Sequence, residues 1–162
     1  MIPSRLTVLR ALLLSLAALL TVTVLPSGGV PADLVLVLVV AVGLSSGTQA
    51  GALFGLAAGL TVDLVPPGSA PLGLTALIHA AVGAGCGVLQ RSVRASILVP
   101  IVTVALAATG IQLLRLLTSL VAGQTPNLTH ASALIVCTAL AGAVIVPLVI
   151  RAESYLVARG LA

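Results

Sequence analysis

Charged side chains are scarce in this sequence, and those present are mostly of one sign. Asp and Glu together number three and Lys and Arg seven in 162 residues. Charged residues therefore make up 6% of the chain, whereas a soluble domain carries about 25%. So few charges do not build a water-exposed surface on a chain of this length. The composition excludes an ordinary soluble domain and favours lipid as the surrounding solvent.

Aromatic residues are almost missing, with no Trp, one Tyr and one Phe. The formal net charge of +4 would otherwise suggest a nucleic-acid partner. Binding of single strands needs aromatic platforms on which bases stack, beside a basic groove. Here every basic residue is Arg, and the Arg residues are scattered along the chain instead of forming a patch. We therefore predict that the chain does not bind nucleic acid.

Residues with reactive side chains are also few. Cys86 and Cys137 lie in apolar runs without the spacing of metal ligands, and we interpret them as small apolar fillers. The sequence contains no nucleophile–base set, no glycine-rich phosphate loop and no carboxylate pair within one apolar run. We predict no catalytic residue, no cofactor and no metal site, and hence a protein that is not an enzyme.

Long apolar runs fill the chain, which is 60% hydrophobic. A membrane-spanning helix needs about 20 such residues. When the sequence is divided at Pro, Gly and polar residues, the apolar runs predict an all-α membrane protein. We predict a single domain over residues 1–162, with a short amphipathic tail after residue 150. The six predicted transmembrane helices cover residues 6–25, 32–44, 48–65, 71–89, 96–121 and 131–150.

Two of these boundaries allow alternatives. The first run follows Arg5 and Arg10 and resembles a signal peptide. Further apolar runs follow it, which favours a retained anchor because a cleaved peptide normally precedes a soluble domain. Residues 45–49 form either a tight turn between two short helices or an unwound break within one re-entrant segment. We favour two spans.

The distribution of Arg predicts the orientation. With the N-terminus inside, six spans place six of the seven basic residues on the cytoplasmic side: Arg5, Arg10, Arg91, Arg94, Arg151 and Arg159. The predicted outer loops, near residues 26–32, 66–71 and 122–130, contain none. Cytoplasmic loops are typically enriched in Lys and Arg. We predict a multi-pass inner-membrane protein with both termini inside.

Glycine recurs at every fourth position from Gly47, just before the third predicted helix, through Gly51, Gly55 and Gly59 within it, and Asp63 continues the series. This spacing places the residues on one stripe. Small residues let membrane helices approach closely. The stripe predicts a tight interface, either inside the chain or with a partner.

The fourth predicted helix has the same spacing, at His79, Gly83 and Gly87. We therefore expect the third and fourth helices to pack as a hairpin. His79 is interpreted as a side chain that hydrogen-bonds a neighbouring helix. A proton relay is the alternative, but it needs titratable groups across the whole membrane, and the sequence offers too few.

Asp63 and Arg115 are the two charges that the predicted layout places within spans. An isolated charge at the bilayer centre costs about 2.5–3.5 kcal/mol. Both residues fall near the outer boundary, so a direct salt bridge is one prediction. Arg115 could instead snorkel to the surface, Asp63 could cap backbone groups, or a partner could bind either. Gln112, Arg115 and Ser119 share a polar face that predicts an outer pocket or a helix contact.

Two segments of this region resemble the signature of the MreD family of rod shape-determining membrane proteins. They are GALFGLAAGLTVDL at residues 51–64 and LGLTAL at residues 72–77. The chain length, the N-terminal Arg pair and the short C-terminal tail also agree. The resemblance covers about a quarter of the chain, and it implies functional importance for Gly55, Gly59 and Asp63.

The resemblance further implies a non-enzymatic scaffold of cell-wall elongation. MreD-like proteins bind the single-span protein MreC, in machinery that contains RodA, a penicillin-binding transpeptidase and cytoplasmic MreB filaments. Their fold is thought similar to the six-helix substrate-binding subunits of energy-coupling-factor vitamin transporters. A vitamin-binding subunit is therefore the alternative. It is less favoured, because ligand pockets are usually lined by aromatic side chains and the chain has one Phe and one Tyr. Across the candidates, the predicted structural or partner-interface residues are Gly51, Gly55, Gly59, Asp63, His79, Gly83, Gln112 and Arg115.

Overall fold

The computed structural model describes residues 5–21, 31–64, 73–90, 98–121, 123 and 128–158. These residues contain six helices and no strand, which confirms the predicted all-α class. The helices are α1 (Arg5–Leu19), α2 (Leu34–Ser46), α3 (Thr48–Leu64), α4 (Leu74–Val88), α5 (Leu98–Val121) and α6 (Leu128–Ala158). Three of the residues behind the predicted orientation, Arg91, Arg94 and Arg159, lie outside the described ranges.

The described helices differ in their capacity to cross a bilayer. Helices α5 and α6, with 24 and 31 residues, are long and apolar enough to do so. Helix α2 has 13 residues, which at 1.5 Å per residue amounts to about 20 Å, short of a hydrocarbon core of about 30 Å. Helix α6 also continues eight residues past the predicted end of the sixth span, so the described part of the predicted tail is an extension of this helix.

Helix α2 is the centre of the bundle and contacts each of the other five described helices. All its residues from 35 to 44 are buried. A helix that is apolar all round has no face suited to water and is expected in a core. Asp33 begins it, because its side chain accepts a hydrogen bond from the Leu36 N–H at 3.0 Å.

A single residue, Gly47, separates α2 from α3. Its φ of +88° is a conformation that glycine adopts readily. The chain reverses here. A Cβ placed on Gly51 would lie 2.8 Å from the Gly43 Cα, although residues eight apart in a straight helix are about 12 Å apart. Residues 45–49 thus form a tight turn between two helices, and the favoured assignment of two spans stays a prediction.

Helices α3 and α4 form the most extensive pairing among the described helices and run antiparallel. The facing positions are Thr48 with Gly87, Gly51 with Gly83, Gly55 with His79, and Gly59 with Ala76. This pairing confirms the predicted hairpin. The outward faces of α5 and α6 are mainly apolar, with exposed Leu and Val side chains along their length.

Candidate functional site

The largest polar cluster in the described residues surrounds Glu153, near the end of α6. This carboxylate is 4% exposed. It accepts a hydrogen bond from the Arg10 Nε of α1 at 2.7 Å. The Ser45 hydroxyl donates to its second oxygen, and the Ser46 hydroxyl lies 3.5 Å from the same oxygen. A buried charge is tolerated when it is paired and hydrogen-bonded, as here.

Two further hydrogen bonds extend this cluster to the turn between α2 and α3. The second guanidinium nitrogen of Arg10, Nη2, donates to the Ser46 hydroxyl. The Gln90 side-chain amide donates to the Ser45 carbonyl at 2.7 Å. Four parts of the fold thus meet at one end of the bundle: α1, the α2–α3 turn, the residue pair after α4, and α6. We call this the Arg10 end.

A cavity of about 400 Å³ lies at the Arg10 end. Arg10, Gln90 and Glu153 contribute polar groups to its lining. Leu44, Ile150 and Val157 contribute apolar ones. The cavity reaches the protein surface, because the α6 residues Val157 and Ala158 that line it are exposed.

Sequence reasoning missed this cluster. It assigned Glu153 to the tail and gave it no partner. A signal was nevertheless present, because the chain has three acidic residues in all. The orientation predicted from the Arg residues puts Arg10 at the inner end of the first span. The same orientation puts Glu153 at the inner end of the last span. Similar depth made a pair possible, but only the lateral arrangement of the helices brings the two side chains together.

At the opposite end, which we call the Asp33 end, Arg115 lies beside Asp33. Its Nη2 is 3.9 Å from the Asp33 Oδ2, and its Nη1 donates to the Gln112 side chain at 3.4 Å. The Asp33 backbone N–H donates to the Thr138 hydroxyl of α6 at 3.0 Å. Gln112 is buried, whereas half of the Arg115 side chain is exposed. Ser119 does not join them and donates to the Leu116 carbonyl.

The predicted salt bridge between Asp63 and Arg115 is wrong. The Asp63 Oδ2 accepts a hydrogen bond from the Gly73 N–H at 2.9 Å and so links the end of α3 to the start of α4. This is the capping role considered as an alternative. The physical reason is the order in which the helices lie side by side. Helix α2 contacts both α3 and α5, which do not contact each other in the described residues. Arg115 therefore meets the carboxylate at the start of α2.

His79 is 1% exposed, and its Nδ1 lies 2.8 Å from the Thr75 carbonyl one turn earlier. A carbonyl only accepts, so Nδ1 carries the proton of this hydrogen bond. The predicted bond to a neighbouring helix is thus replaced by one within α4. Within the described residues, the buried Nε2 has no hydrogen-bond partner.

The four glycines among the predicted interface residues are used inside the chain. A Cβ on Gly55 would overlap the His79 carbonyl, and a Cβ on Gly59 would lie 2.6 Å from the Thr75 carbonyl. Gly51 and Gly83 likewise meet each other's backbone. No partner helix could enter between these backbones. Of the two interpretations of the stripe, the geometry supports internal packing.

The described residues contain no group of three or more His, Cys, Asp or Glu side chains that could hold a metal ion. Cys86 is buried and Cys137 half-buried, and both are free thiols. The polar groups described above mainly join helices. What they can do chemically is to hold charge and donate hydrogen bonds at the two ends of an apolar bundle.

No protein-family model, no curated protein and no solved structure matches this chain. Function therefore has to be argued from the residues and their geometry.

Proposed function

We propose that the chain is a multi-pass membrane protein of the MreD type that acts as a non-enzymatic adaptor in rod-shape cell-wall elongation. The observation that carries the proposal is the α3–α4 hairpin. The described residues of the family-like signature form one helix pair, in which Gly55 and Gly59 bring the two backbones together and Asp63 bonds the start of α4. A signature that builds a close helix pair, and not a reactive centre, suits a structural protein.

Membrane insertion is supported by the two long apolar helices and by the apolar outward faces of the bundle. The ion pairs Arg10–Glu153 and Arg115–Asp33 lie near its two ends, where a bilayer would leave them closest to water. In the proposed layout all six helices lie in the bacterial inner membrane with both termini inside. The Arg10 end then faces the cytoplasm, and the shorter α2 is shielded from lipid by its neighbours.

The adaptor role is supported by the use of the acidic residues. Asp33 caps α2, Asp63 bonds the start of α4, and Glu153 pairs with Arg10. Each of these carboxylates therefore holds a helix end or joins two segments of the bundle, which suits a structural role. The proposed direct partner is a single-span protein of the MreC type. RodA, its transpeptidase and MreB would be reached in the same complex.

The test is co-purification in mild detergent of the tagged chain, co-expressed with the MreC-type protein of the same genome. We expect the bitopic partner to be retained. Arg115→Gln should lower its retention if the half-exposed guanidinium contributes to the contact. Ser132→Ala, an exposed substitution at the start of α6, is the matched control. Loss of the bitopic partner from the wild-type eluate would overturn the adaptor proposal.

A vitamin-binding transporter subunit is the alternative. Such a subunit would retain a small molecule through purification, detectable by mass spectrometry of the denatured eluate. Neither aromatic side chain of the chain lines the Arg10-end cavity: Phe54 packs against the core, and Tyr155 is exposed on α6. This placement favours the adaptor.

A further inference from the structure

We propose that the Arg10-end cavity binds the headgroup of phosphatidylethanolamine, with the lipid phosphate on Arg10 and the ammonium on Glu153. The inference rests on the proposed membrane location, and it is independent of the adaptor role. It concerns a lipid site inside the fold, distinct from any contact with a protein partner.

Arg10 has more N–H donors than its contacts with the described residues use. A guanidinium carries five N–H donors. The contacts of Arg10 use its Nε for Glu153 and one Nη2 hydrogen for Ser46. The remaining donors have no acceptor among the described residues, and the side chain lines the cavity at 15% exposure. Planar guanidinium groups bind phosphate oxygens with two parallel hydrogen bonds.

The Glu153 carboxylate has more lone-pair sites than its contacts with the described residues use. Its Oε1 accepts from Arg10, and its Oε2 from Ser45. An ionised carboxylate has about four lone-pair sites. An ammonium group in the cavity could therefore donate to Glu153 without displacing either protein donor. The Ser45 and Ser46 hydroxyls keep the carboxylate in place for such a contact.

Charge balance selects a zwitterion. Arg10 and Glu153 neutralise each other and are the charged residues among the described lining of the cavity, while Arg151 on α6 is exposed to solvent. A ligand with net charge would therefore bring an uncompensated charge against this neutral pair. A headgroup that carries both a phosphate and an ammonium has no net charge and so adds no uncompensated charge. Phosphatidylcholine has the same net charge, but its quaternary nitrogen has no N–H to donate to a carboxylate. Phosphatidylglycerol leaves its phosphate charge unbalanced and brings no cation for Glu153.

The remaining walls suit the rest of a lipid. Leu44, Ile150 and Val157 offer an apolar surface beside the charged pair, and the opening lies along the exposed end of α6. A volume of about 400 Å³ is enough for the headgroup and the first part of an acyl chain. Headgroups also lie at the depth of the bundle end in the proposed layout.

The experiment is native mass spectrometry of the delipidated protein in detergent, titrated with phosphatidylethanolamine, phosphatidylcholine or phosphatidylglycerol of identical acyl chains. We expect the first to bind about tenfold more tightly than the others, because hydrogen bonds to charged groups contribute that much or more. Glu153→Gln should remove the preference for ethanolamine over choline. Arg10→Gln should weaken binding of all three lipids. Thr109→Ala, on the exposed face of α5, should change nothing.

Separate additions of inorganic phosphate and of phosphoethanolamine distinguish the source of the headgroup. Displacement of bound lipid by free phosphate at similar concentration would show a phosphate site and overturn the lipid assignment. Equal binding of the three lipids by the wild type would also overturn it, as would an unchanged ethanolamine preference in Glu153→Gln.

The charge variants could fail to fold, since each leaves a buried charge unpaired. Ala158→Phe avoids this, because Ala158 is an exposed residue that lines the cavity and is not a member of the ion pair. It should lower binding of phosphatidylethanolamine about tenfold while leaving the thermal midpoint unchanged. Undiminished binding in Ala158→Phe would refute the cavity as the site. Failure of partner capture leaves this assay unaffected, so the two proposals can fail separately.

Discussion

Helices α3 and α4 meet backbone to backbone, whereas α2 packs on its neighbours mainly through large branched side chains, with Gly43 the one position that lies against the backbones of Gly51 and Gly83. In the first interface Gly51, Gly55 and Gly59 face the backbone of α4. In the second, Leu36 and Leu44 are among the largest fully buried side chains. In the proposed membrane location, lipid is as apolar as either interface, so packing contacts decide the stability of both. The comparison teaches that backbone contact leaves no room for an added atom, while side-chain contact can adjust.

The largest effect is expected where the added atom meets backbone. Gly55→Ala places a Cβ against the His79 carbonyl and separates α3 from α4. We expect a loss of about 3 kcal/mol in the free energy of unfolding, at the upper end of overpacking costs. The measurement is SDS denaturation in mixed micelles followed by circular dichroism. A loss below about 1 kcal/mol would mean that the interface between α3 and α4 tolerates an added carbon, contrary to its geometry.

Removing atoms from the side-chain interface should cost somewhat less. Leu36→Ala opens a cavity beside α2, a change that costs about 2–5 kcal/mol in soluble cores. We expect about 2 kcal/mol here, since in the proposed membrane location a lipid-solvated unfolded state weakens the transfer contribution. The same denaturation assay applies. Exposed Leu53→Ala on α3 is the matched control and should be nearly neutral.

An intermediate case joins the two kinds of packing. Gly142 of α6 lies in a helix interface, but an added Cβ would meet side-chain carbons of Val104, the nearest at 2.7 Å. Because a side chain can shift, Gly142→Ala should destabilise by about 1 kcal/mol. A cost equal to that of Gly55→Ala would contradict the distinction between backbone and side-chain neighbours. Val104→Ala in the same chain should relieve the cost, which a double-mutant cycle would measure.

The smallest effect is expected at Gly85 of α4, where an added Cβ has no neighbour within 4 Å. Gly85→Ala should stabilise the protein by about 0.5 kcal/mol, because alanine loses less conformational freedom in a helix. It adds the same carbon as Gly55→Ala, in the next helix of the same hairpin. Destabilisation at Gly85 would point to a partner or second copy packed on this face.

Local spacing predicted the hairpin well. Glycines four residues apart in two successive apolar runs indicated a close seam, and α3 and α4 form one. The ion pairs were harder to predict. Depth along each span placed Asp63 and Arg115 at similar height, yet α2 lies between their helices. Glu153 was treated as part of a tail, although α6 continues through it.

Composition and spacing by themselves determined that the chain is helical, that apolar surface dominates it and that α3 approaches α4 along glycines. These are properties of each segment and its immediate neighbour. The tertiary structure alone decided that α2 is central, that Arg115 lies beside Asp33 and that Arg10 pairs with Glu153. The physical reason is that helices of similar apolarity do not encode their lateral order in hydropathy. Side-chain packing between distant segments sets that order.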